Sequence, residues 1–458
     1  MTEIAYVEAP TDATSTERTA LGESVRRQIP REALGEWAAP GDRRDPIEIL
    51  EEQGATRVPE LLPVRYGRMA VTPFTFYRGA PAIMAHDLAA GASTPLRTQL
   101  CGDAHLLNFG AYATPERRLI FDLNDFDETL PGPFEWDVKR LCASLLVAAR
   151  CSGQGEKAGR RAALAAASAY REHLRELATR DVLEVWYERI ELTDAMQTFT
   201  GIVAPKKLAK MLSKTQHRTS AQVLGKLTEI IDGERRIRHQ PPLLLPLDSD
   251  EWHGIAEQVL DRYAATLDDD HAMLLRRFEL VEIAVKVVGV GSVGTRCLIA
   301  LLHGRDEDDV LFLQVKQAEE SVLARFAGAS EYEQQGERVV KGQRLMQAAS
   351  DLFLGWTVGP LGHHYYVRQL RDMKGSVAVD GLPAEALVRY GELCGRTLGR
   401  AHARSADPRA IAGYLGQAAR FDEAMQTFAI SYADQTELDH ALFVQAIADG
   451  RIPAASGS

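Results

Sequence analysis

The sequence predicts an α+β protein of two lobes, a large, mainly helical one and a small antiparallel β lobe carrying one helix. Three observations predict it. After Asp137 apolar residues recur at spacings of three and four for about 140 residues, the period of packed helices. At 278 the texture changes to β-branched runs punctuated by glycine, the pattern of strands and turns. A 458-residue chain that is 45% hydrophobic can also bury more core than one lobe holds. The boundaries read as a flexible N-terminal arm over 1–45, a helical lobe over 46–277 and a β lobe over 278–372. A hinge and the remaining helices of the helical lobe then fill 373–458.

The first thirty residues are rich in Thr, Ser, Glu and Ala and hold no apolar run that could serve as a signal-peptide core. Residues 1–20 are expected to be mobile, as is the tail at 454–458. No run approaches the ~20 apolar residues of a membrane span. The five cysteines are scattered without a Cys-x-x-Cys pair, which points to a reduced cytoplasm with neither zinc site nor disulfide framework. A net charge of −11 argues against a general nucleic-acid binder, because neutralising phosphates needs a basic surface.

Order begins with a short helix over 46–54. Residues 64–79 then interleave Arg65, Arg68 and Arg78 with aromatics. Guanidinium forks suit phosphate or another anionic group, and solvated surface arginines are the plainer explanation. The segment 99–137 carries the chemistry. A loop places Asp103 and Asn108 five residues apart, and an apolar strand then delivers Asp125 and Asp127. Two carboxylates and an amide oxygen on neighbouring loops suit a hard cation such as Mg²⁺, commonly completed by substrate phosphates. A further carboxylate beside it could take a proton from an attacking hydroxyl. The competing explanation for Asp103 and Asn108 is a solvated turn, and the order of loop, strand, acidic cluster and apolar helix speaks against it.

Gly102, Asp103, His105 and Asn108 resemble the catalytic loop of the aminoglycoside phosphotransferase and choline kinase branch of the protein-kinase-like families, and 125–127 resembles their metal-binding segment. The resemblance implies Asp103 as catalytic base, with His105 matching a histidine those kinases often carry. It implies Asn108 as a metal ligand, Asp125 as the main one, and Asp127 beside it. Cys101 departs from the pattern, which usually has His there. Asp137 resembles the helix-start Asp that braces the loop, and an ordinary N-terminal helix carboxylate would look the same. The whole chain is also similar to a bacterial family catalogued only as domain of unknown function 2252, which adds no activity.

Helical spacing continues over 138–150, 156–179, 206–212, 220–232 and 250–267, interrupted by an extended segment at 241–246. Residues 206–238 are basic, as a solvated helical face or, less simply, a substrate-phosphate or partner surface would be. In the β lobe, Gly289, Gly291 and Gly294 form a glycine-rich turn between two strands, and a third strand ends at Lys316. The glycine spacing also serves dinucleotide folds, where the third glycine opens a helix. Here it opens another strand, so a kinase-type flap over nucleotide phosphates is favoured, with Lys316 in the position of the phosphate-pairing lysine. Gln314 sits on the same strand face, where those kinases usually have a small apolar residue, and could bond the base. The resemblance makes the helix at 333–350 the carrier of the glutamate that pairs with Lys316. Glu337 is the choice, with Glu320, Glu331 and Glu333 open. A hairpin over 351–370 completes the sheet, and Gln369 opens the hinge whose backbone would meet the base.

The catalytic loop precedes the glycine turn, the reverse of the kinase order. A circularly permuted two-lobed protein-kinase-like fold reconciles the motifs, since permutation is tolerated where termini lie close together. The expected function is therefore ATP- (or another nucleoside triphosphate-) and Mg²⁺-dependent phosphoryl transfer to a hydroxyl of a small-molecule acceptor, with neither nucleic acid nor membrane as partner. Only six residues separate Asp127 from Phe134, two of them proline, too short and stiff for a protein kinase's activation segment. The alternatives are a non-catalytic nucleotide-binding module of pseudokinase type and a metal-dependent phosphoesterase. The latter needs further His and Asn clusters than His363, His364 and His402 supply.

Overall fold

The computed structural model describes residues 4–455 apart from 207–209, 211–212, 214–219, 232–233, 242–243, 248, 288, 292, 307, 371–374 and 377–380. The chain is an α+β protein with several antiparallel sheets. Residues 4–45 of the segment expected as a flexible arm over 1–45 are instead packed. Helix α1 (Ser15–Gln28) starts on a capping box, in which Thr14 Oγ1 accepts the Glu17 N–H and the Glu17 carboxylate takes the Thr14 N–H at 2.7 Å. Val25 and Leu34 then enter the main core, and capping with burial outweighs the polar composition. At the other end, the Ala455 N–H bonds Pro63 O at 2.9 Å, while 456–458 of the expected mobile tail lie outside the described residues.

Four short helices follow, α2 (Pro46–Gly54), α3 (Leu62–Met69), α4 (Pro73–Gly79) and α5 (Pro81–Ala90). Each has proline in its first two positions, where the missing N–H costs nothing. Two small pairings then bracket the segment read as catalytic. Strand β1 (Arg97–Leu100) pairs with β4 (Leu130–Pro133), Leu100 opposite Leu130. Between them β2 (Phe109–Ala113) pairs with β3 (Leu119–Leu123), Phe109 opposite Leu123. The loops 101–108 and 124–129 are thereby held side by side at both ends.

Helix α6 (Glu135–Cys151) is buried along almost its whole length, and α7 (Glu156–Leu177) packs beside it. Short elements α8 (Val182–Tyr187), β5 (Ile190–Glu191) and α9 (Leu192–Gln197) lead onward, β5 extending the β2–β3 sheet. The helix expected over 206–212 lies largely outside the described residues. The one expected over 220–232 ends early. Helix α10 (Ser220–Leu227) gives way to a hairpin, β6 (Thr228–Ile231) with β7 (Glu234–Ile237), because Thr228, Ile230 and Ile231 favour the pleated surface.

Strand β8 (Leu244–Pro246) and helices α11 (Ser249–Ala264) and α12 (Asp269–Leu275) precede the main sheet. That sheet uses β9 (Glu279–Lys286), β10 (Cys297–His303) and β11 (Val310–Gln317), then, after α13 (Ala324–Ala327) and α14 (Gln335–Met346), β12 (Gly355–Val358) and β13 (His364–Gln369). Its order is β12-β13-β11-β10-β9-β8, six strands, each pairing antiparallel. Strand alternation sends Leu311 and Leu313 to a cluster with Tyr263 and Leu267. Phe312, Ile299 and Leu301 go to the opposite face, covered by Leu224, Ile237 and Leu244. The chain closes with β14 (Gly375–Ser376) on the edge of β2, then α15 (Ala384–Ala403), α16 (Pro408–Leu415) and α17 (Arg420–Ala448). Helix α15 lies against α7 so closely that a Cβ on Gly395 would stand 2.0 Å from Ala166 O.

Candidate functional site

One face of α6 holds the 101–108 loop through three side chains. Asp137 accepts the Cys101 N–H on Oδ2 at 2.8 Å and the Gly102 N–H on Oδ1 at 3.1 Å. Arg140 reaches Asp103 Oδ1 with Nε at 2.8 Å and Nη2 at 2.7 Å, and Ser144 Oγ accepts the Leu106 N–H at 2.9 Å. These residues recur at i, i+3 and i+7, a single helical face. Asp137 thus occupies the bracing position the sequence suggested. Behind it stand His402 Nε2 at 3.3 Å and, on the other ring nitrogen, the Tyr170 hydroxyl at 2.9 Å, so His402 belongs to the brace within the core.

Gly102 has φ +83°, and a Cβ there would lie 2.2 Å from Glu128 O. Glycine is what lets the two loops touch. His105 Nδ1 accepts the Leu107 N–H at 3.2 Å, which assigns the ring proton to Nε2, 3.8 Å from Asp103 Oδ2. Burial, with Arg78 and Arg140 adding to it, lowers the His105 pKa to about 4 and keeps the ring neutral. Asn108 departs from the ligand role expected of it. Its Oδ1 accepts the Asp125 N–H at 2.6 Å and the Asn124 N–H at 3.3 Å, and its Nδ2 donates to Asp103 O and Asp125 O. The amide is used up tying one loop to the other, so it presents no open oxygen.

Lys316 crosses from the main sheet to these loops. Its Nζ bonds Asp127 Oδ2 and lies 3.6 Å from Asp125 Oδ1, while the Tyr366 hydroxyl donates to Asp127 Oδ1 at 2.8 Å. Burial opposes the ammonium, but Asp125 and Asp127 outweigh it and raise the Lys316 pKa well above its usual value. Burial and Asp125 together raise Asp127, against Lys316 and Tyr366.

The partner expected for Lys316, Glu337, is not its partner here. It sits on the first turn of α14, its N–H capped by Gln334 Oε1 at 2.5 Å. One position on, Arg338 faces inward and donates to Thr129 O, Asp127 O and Glu319 O. Gln369 also stands apart from the cavity residues. It ends β13 opposite Leu313, and the expected hinge beyond it at 371–372 lies outside the described residues. Gln314, read as a possible base partner, is buried between Cys297 Sγ and Arg368 Nε.

Asp103, His105, Asp125 and Asp127 line one cavity of about 450 Å³ together with Gly289 and Gly291. The glycine turn joins β9 to β10 as a hairpin and is fixed by its carbonyls. Arg68 donates to Gly289 O at 2.7 Å, Arg57 to Gly291 O at 2.8 Å, and the Val58 N–H to Gly294 O at 2.8 Å. Gly294 itself, with φ +90°, lies outside the cavity lining and against the Arg57 side chain.

Four site residues escaped the sequence reading. Arg140 left a signal, the i+3 spacing from Asp137 at the start of a helix whose next turns are apolar. Arg57, Arg338 and Tyr366 left none, since only tertiary packing brings them to the loops. Residues 57–446 match the family described as an uncharacterized protein conserved in bacteria (DUF2252). No curated protein and no solved structure matches the chain.

Proposed function

We propose that this chain, which belongs to that uncharacterized bacterial family, is a Mg²⁺- and nucleoside-triphosphate-dependent phosphotransferase acting on a hydroxyl of a small molecule. The observation that carries the reading is the shared cavity. Asp103, His105, Asp125 and Asp127 of the 101–129 segment share it with Gly289 and Gly291 of the turn between β9 and β10, which is the juxtaposition a permuted protein-kinase-like chain would need. In this reading Asp103, with Oδ1 committed to Arg140, offers Oδ2 to the acceptor's hydroxyl proton. Neutral His105 sits behind that oxygen and helps orient it.

Asp125 and Asp127 would hold the metal. Their carboxylates converge on one point, because a single Lys316 Nζ reaches both, and a hard cation there would draw its remaining ligands from phosphate and water. When bound, the ion neutralises charge on the transferring phosphoryl group. Among the described residues there is no cluster of three or more His, Cys, Asp or Glu side chains suited to a metal, so two carboxylates are this chain's contribution. Lys316 would exchange a carboxylate for a nucleotide phosphate.

A small acceptor is favoured over a protein because 130–133, within the short link after Asp127, is already committed to a strand paired with β1. A second reading, nucleotide binding without turnover, is favoured by the grip of Arg140 on Asp103. One experiment separates them: γ-phosphate transfer measured against amino sugars, choline-like amines, sugars and nucleosides, with a generic protein for comparison. Transfer to one of the small-molecule classes, lost in Asp103→Asn, is expected. Wild-type turnover in Asp103→Asn, or phosphorylation of the protein alone, would overturn the reading. Nucleotide binding with no transfer would leave the second one.

A further inference from the structure

Arg57, Arg65 and Arg78 all line the cavity that contains Asp103, and each keeps a buried guanidinium nitrogen without a hydrogen-bond partner among the described residues. Arg65 is 1% exposed. Its Nη2 donates to Gln53 Oε1 at 2.8 Å and Gly79 O at 2.7 Å, its Nε faces Met69 Sδ, and Nη1 has no partner. Arg57 is 7% exposed. Its Nη1 holds Gly291 O and Val293 O, and its Nε has no partner. Arg78 lies over the Phe74 ring, its Nε likewise orphaned.

Among the described residues none of the three has a carboxylate within 4.0 Å. Elsewhere the chain follows another rule: buried Arg140, Arg171 and Arg400 and half-buried Arg43 each pair with an aspartate. Arg338, which lacks a carboxylate, spends its donors on three backbone carbonyls and Gln335. An unpaired buried cation is costly, and orphaned buried donors are rare enough to need a reason. Of the carboxylates that also line the cavity, Glu52 and Glu128 are engaged elsewhere, while Glu319 acts on Arg57 only through space. Glu52 pairs with Arg44 at 2.8 Å, and Glu128 accepts the Val322 N–H at 2.8 Å. The cavity therefore gathers aspartates together with guanidinium groups that no carboxylate of the described residues contacts.

We infer that the wall formed by Arg57, Arg65 and Arg78 is a subsite for a phosphate-type oxyanion. The forked donors of arginine match such an oxyanion, and an incoming anion would satisfy both the charge and the orphaned N–H groups. The inference stands on this geometry alone. Only the question of which molecule brings the anion, the nucleotide's phosphates or a phosphorylated acceptor, rests on the proposed function.

The test is binding of inorganic phosphate and pyrophosphate to the full chain at constant ionic strength, by calorimetry and thermal shift, without turnover. Arg78→Gln is the primary variant because the Arg78 side chain makes no hydrogen bond among the described residues, and Arg57→Gln is the second. Saturable pyrophosphate binding is expected, weakened roughly tenfold or more in Arg78→Gln, the scale of one charge-assisted contact. Protection of Arg78 from phenylglyoxal by pyrophosphate, mapped by mass spectrometry on the wild type, gives a readout that needs no variant. No saturable binding, or equal binding by both variants without protection, would overturn the inference. Displacement of pyrophosphate by ADP would assign the subsite to the nucleotide. Simultaneous binding of ADP and glycerol 3-phosphate, the latter sensitive to Arg78→Gln, would assign it to the acceptor. Arginine-dependent binding in a chain that transfers no phosphoryl group would keep this inference and remove the proposed function.

Discussion

Arg140 grips Asp103 with two nitrogens on one oxygen, Nε at 2.8 Å and Nη2 at 2.7 Å from Oδ1. The same guanidinium donates to Tyr77 O at 2.9 Å and lies 4.0 Å over the Tyr77 ring, so it is a fixed post joining α6 and α4 to the loop. Arg140→Met should lower the unfolding free energy by about 2 kcal/mol, less than for a fully enclosed pair because Asp103 is partly open to water. Arg140→Lys should recover only part, having charge without the fork. Urea unfolding of the three proteins measures this. A methionine variant within ~0.5 kcal/mol of wild type, the usual range of a surface change, would mean the fork does not hold the loop.

Gly395 sets the distance between α15 and α7. A Cβ there would meet Ala166 O at 2.0 Å, which neither backbone can relieve alone, and the alanines of α7 at 162, 163, 166 and 167 are fully buried around it. Gly395→Ala, normally favourable in a helix by ~1 kcal/mol, should instead destabilise by about 1–3 kcal/mol through overpacking. A raised thermal midpoint for this variant would refute the close approach.

The sequence disclosed most where local pattern and tertiary role coincide. The apolar spacing of 138–150 revealed α6, and β-branched runs punctuated by glycine marked β9 to β11 and hence the placement of Lys316. The Asp103 and Asp125 loops lay where their flanking strands suggested. Legibility failed where a residue's role depends on which way a helix is rotated. Glu337 and Arg338 are neighbours, and one residue of register decides which turns inward. It failed again at α1, whose Thr14 and Glu17 are a capping signature overlooked behind a polar composition. At Thr228 the helical spacing of 220–232 continues past the point where the β-branched residues turn the chain into β6.

Arg400 and Asp122 form an ion pair with both side chains 1% exposed, beneath the β2–β3 hairpin that carries the site loops. Asp122 also accepts the Ala348 N–H at 2.9 Å. Arg400→Met should cost about 3–5 kcal/mol by stranding the carboxylate. The double variant with Asp122→Asn should cost less than the sum of the singles, by about 1–3 kcal/mol of coupling. Additive costs in a double-mutant cycle would show that the pair is not energetically linked.

Lys139 predicts a pH dependence. It is 2% exposed and 4.9 Å over the Phe428 ring, and burial lowers its pKa to about 8, Glu135 opposing. A lysine depressed in the fold contributes stability that is present above its unfolded value near 10.5 and is lost as pH falls to about 8. Below that the charged form is carried at a cost of about 3 kcal/mol. The stability of wild type relative to Lys139→Met should therefore be flat from pH 5 to 7 and climb between pH 8 and 10. A difference that stays constant across this window would show that Lys139 is not desolvated.

Glu337 and Lys316 supply the sharpest contrast between what the motif implies and what the packing does. If Glu337 paired with Lys316, removing its charge would free the lysine and impair any phosphate-pairing role. Here Lys316 is held by Asp125 and Asp127, and Glu337 contributes no more than a carboxylate on the first turn of α14, worth ~0.3–1 kcal/mol at a helix N-terminus. Glu337→Gln should therefore leave both phosphotransfer and nucleotide affinity within about twofold of wild type, the scale of so small an energy. Lys316→Met, which takes the shared ammonium from two adjacent carboxylates, should lower stability by about 2–4 kcal/mol and abolish transfer. Arg338→Met should destabilise by about as much, because three carbonyls lose their donor, Thr129 O in a buried bond and Asp127 O and Glu319 O in part-buried ones. Equilibrium unfolding and a nucleotide-binding titration on the three variants resolve the question. A Glu337→Gln protein as impaired as Lys316→Met would restore the glutamate to the lysine and require α14 to turn by one residue.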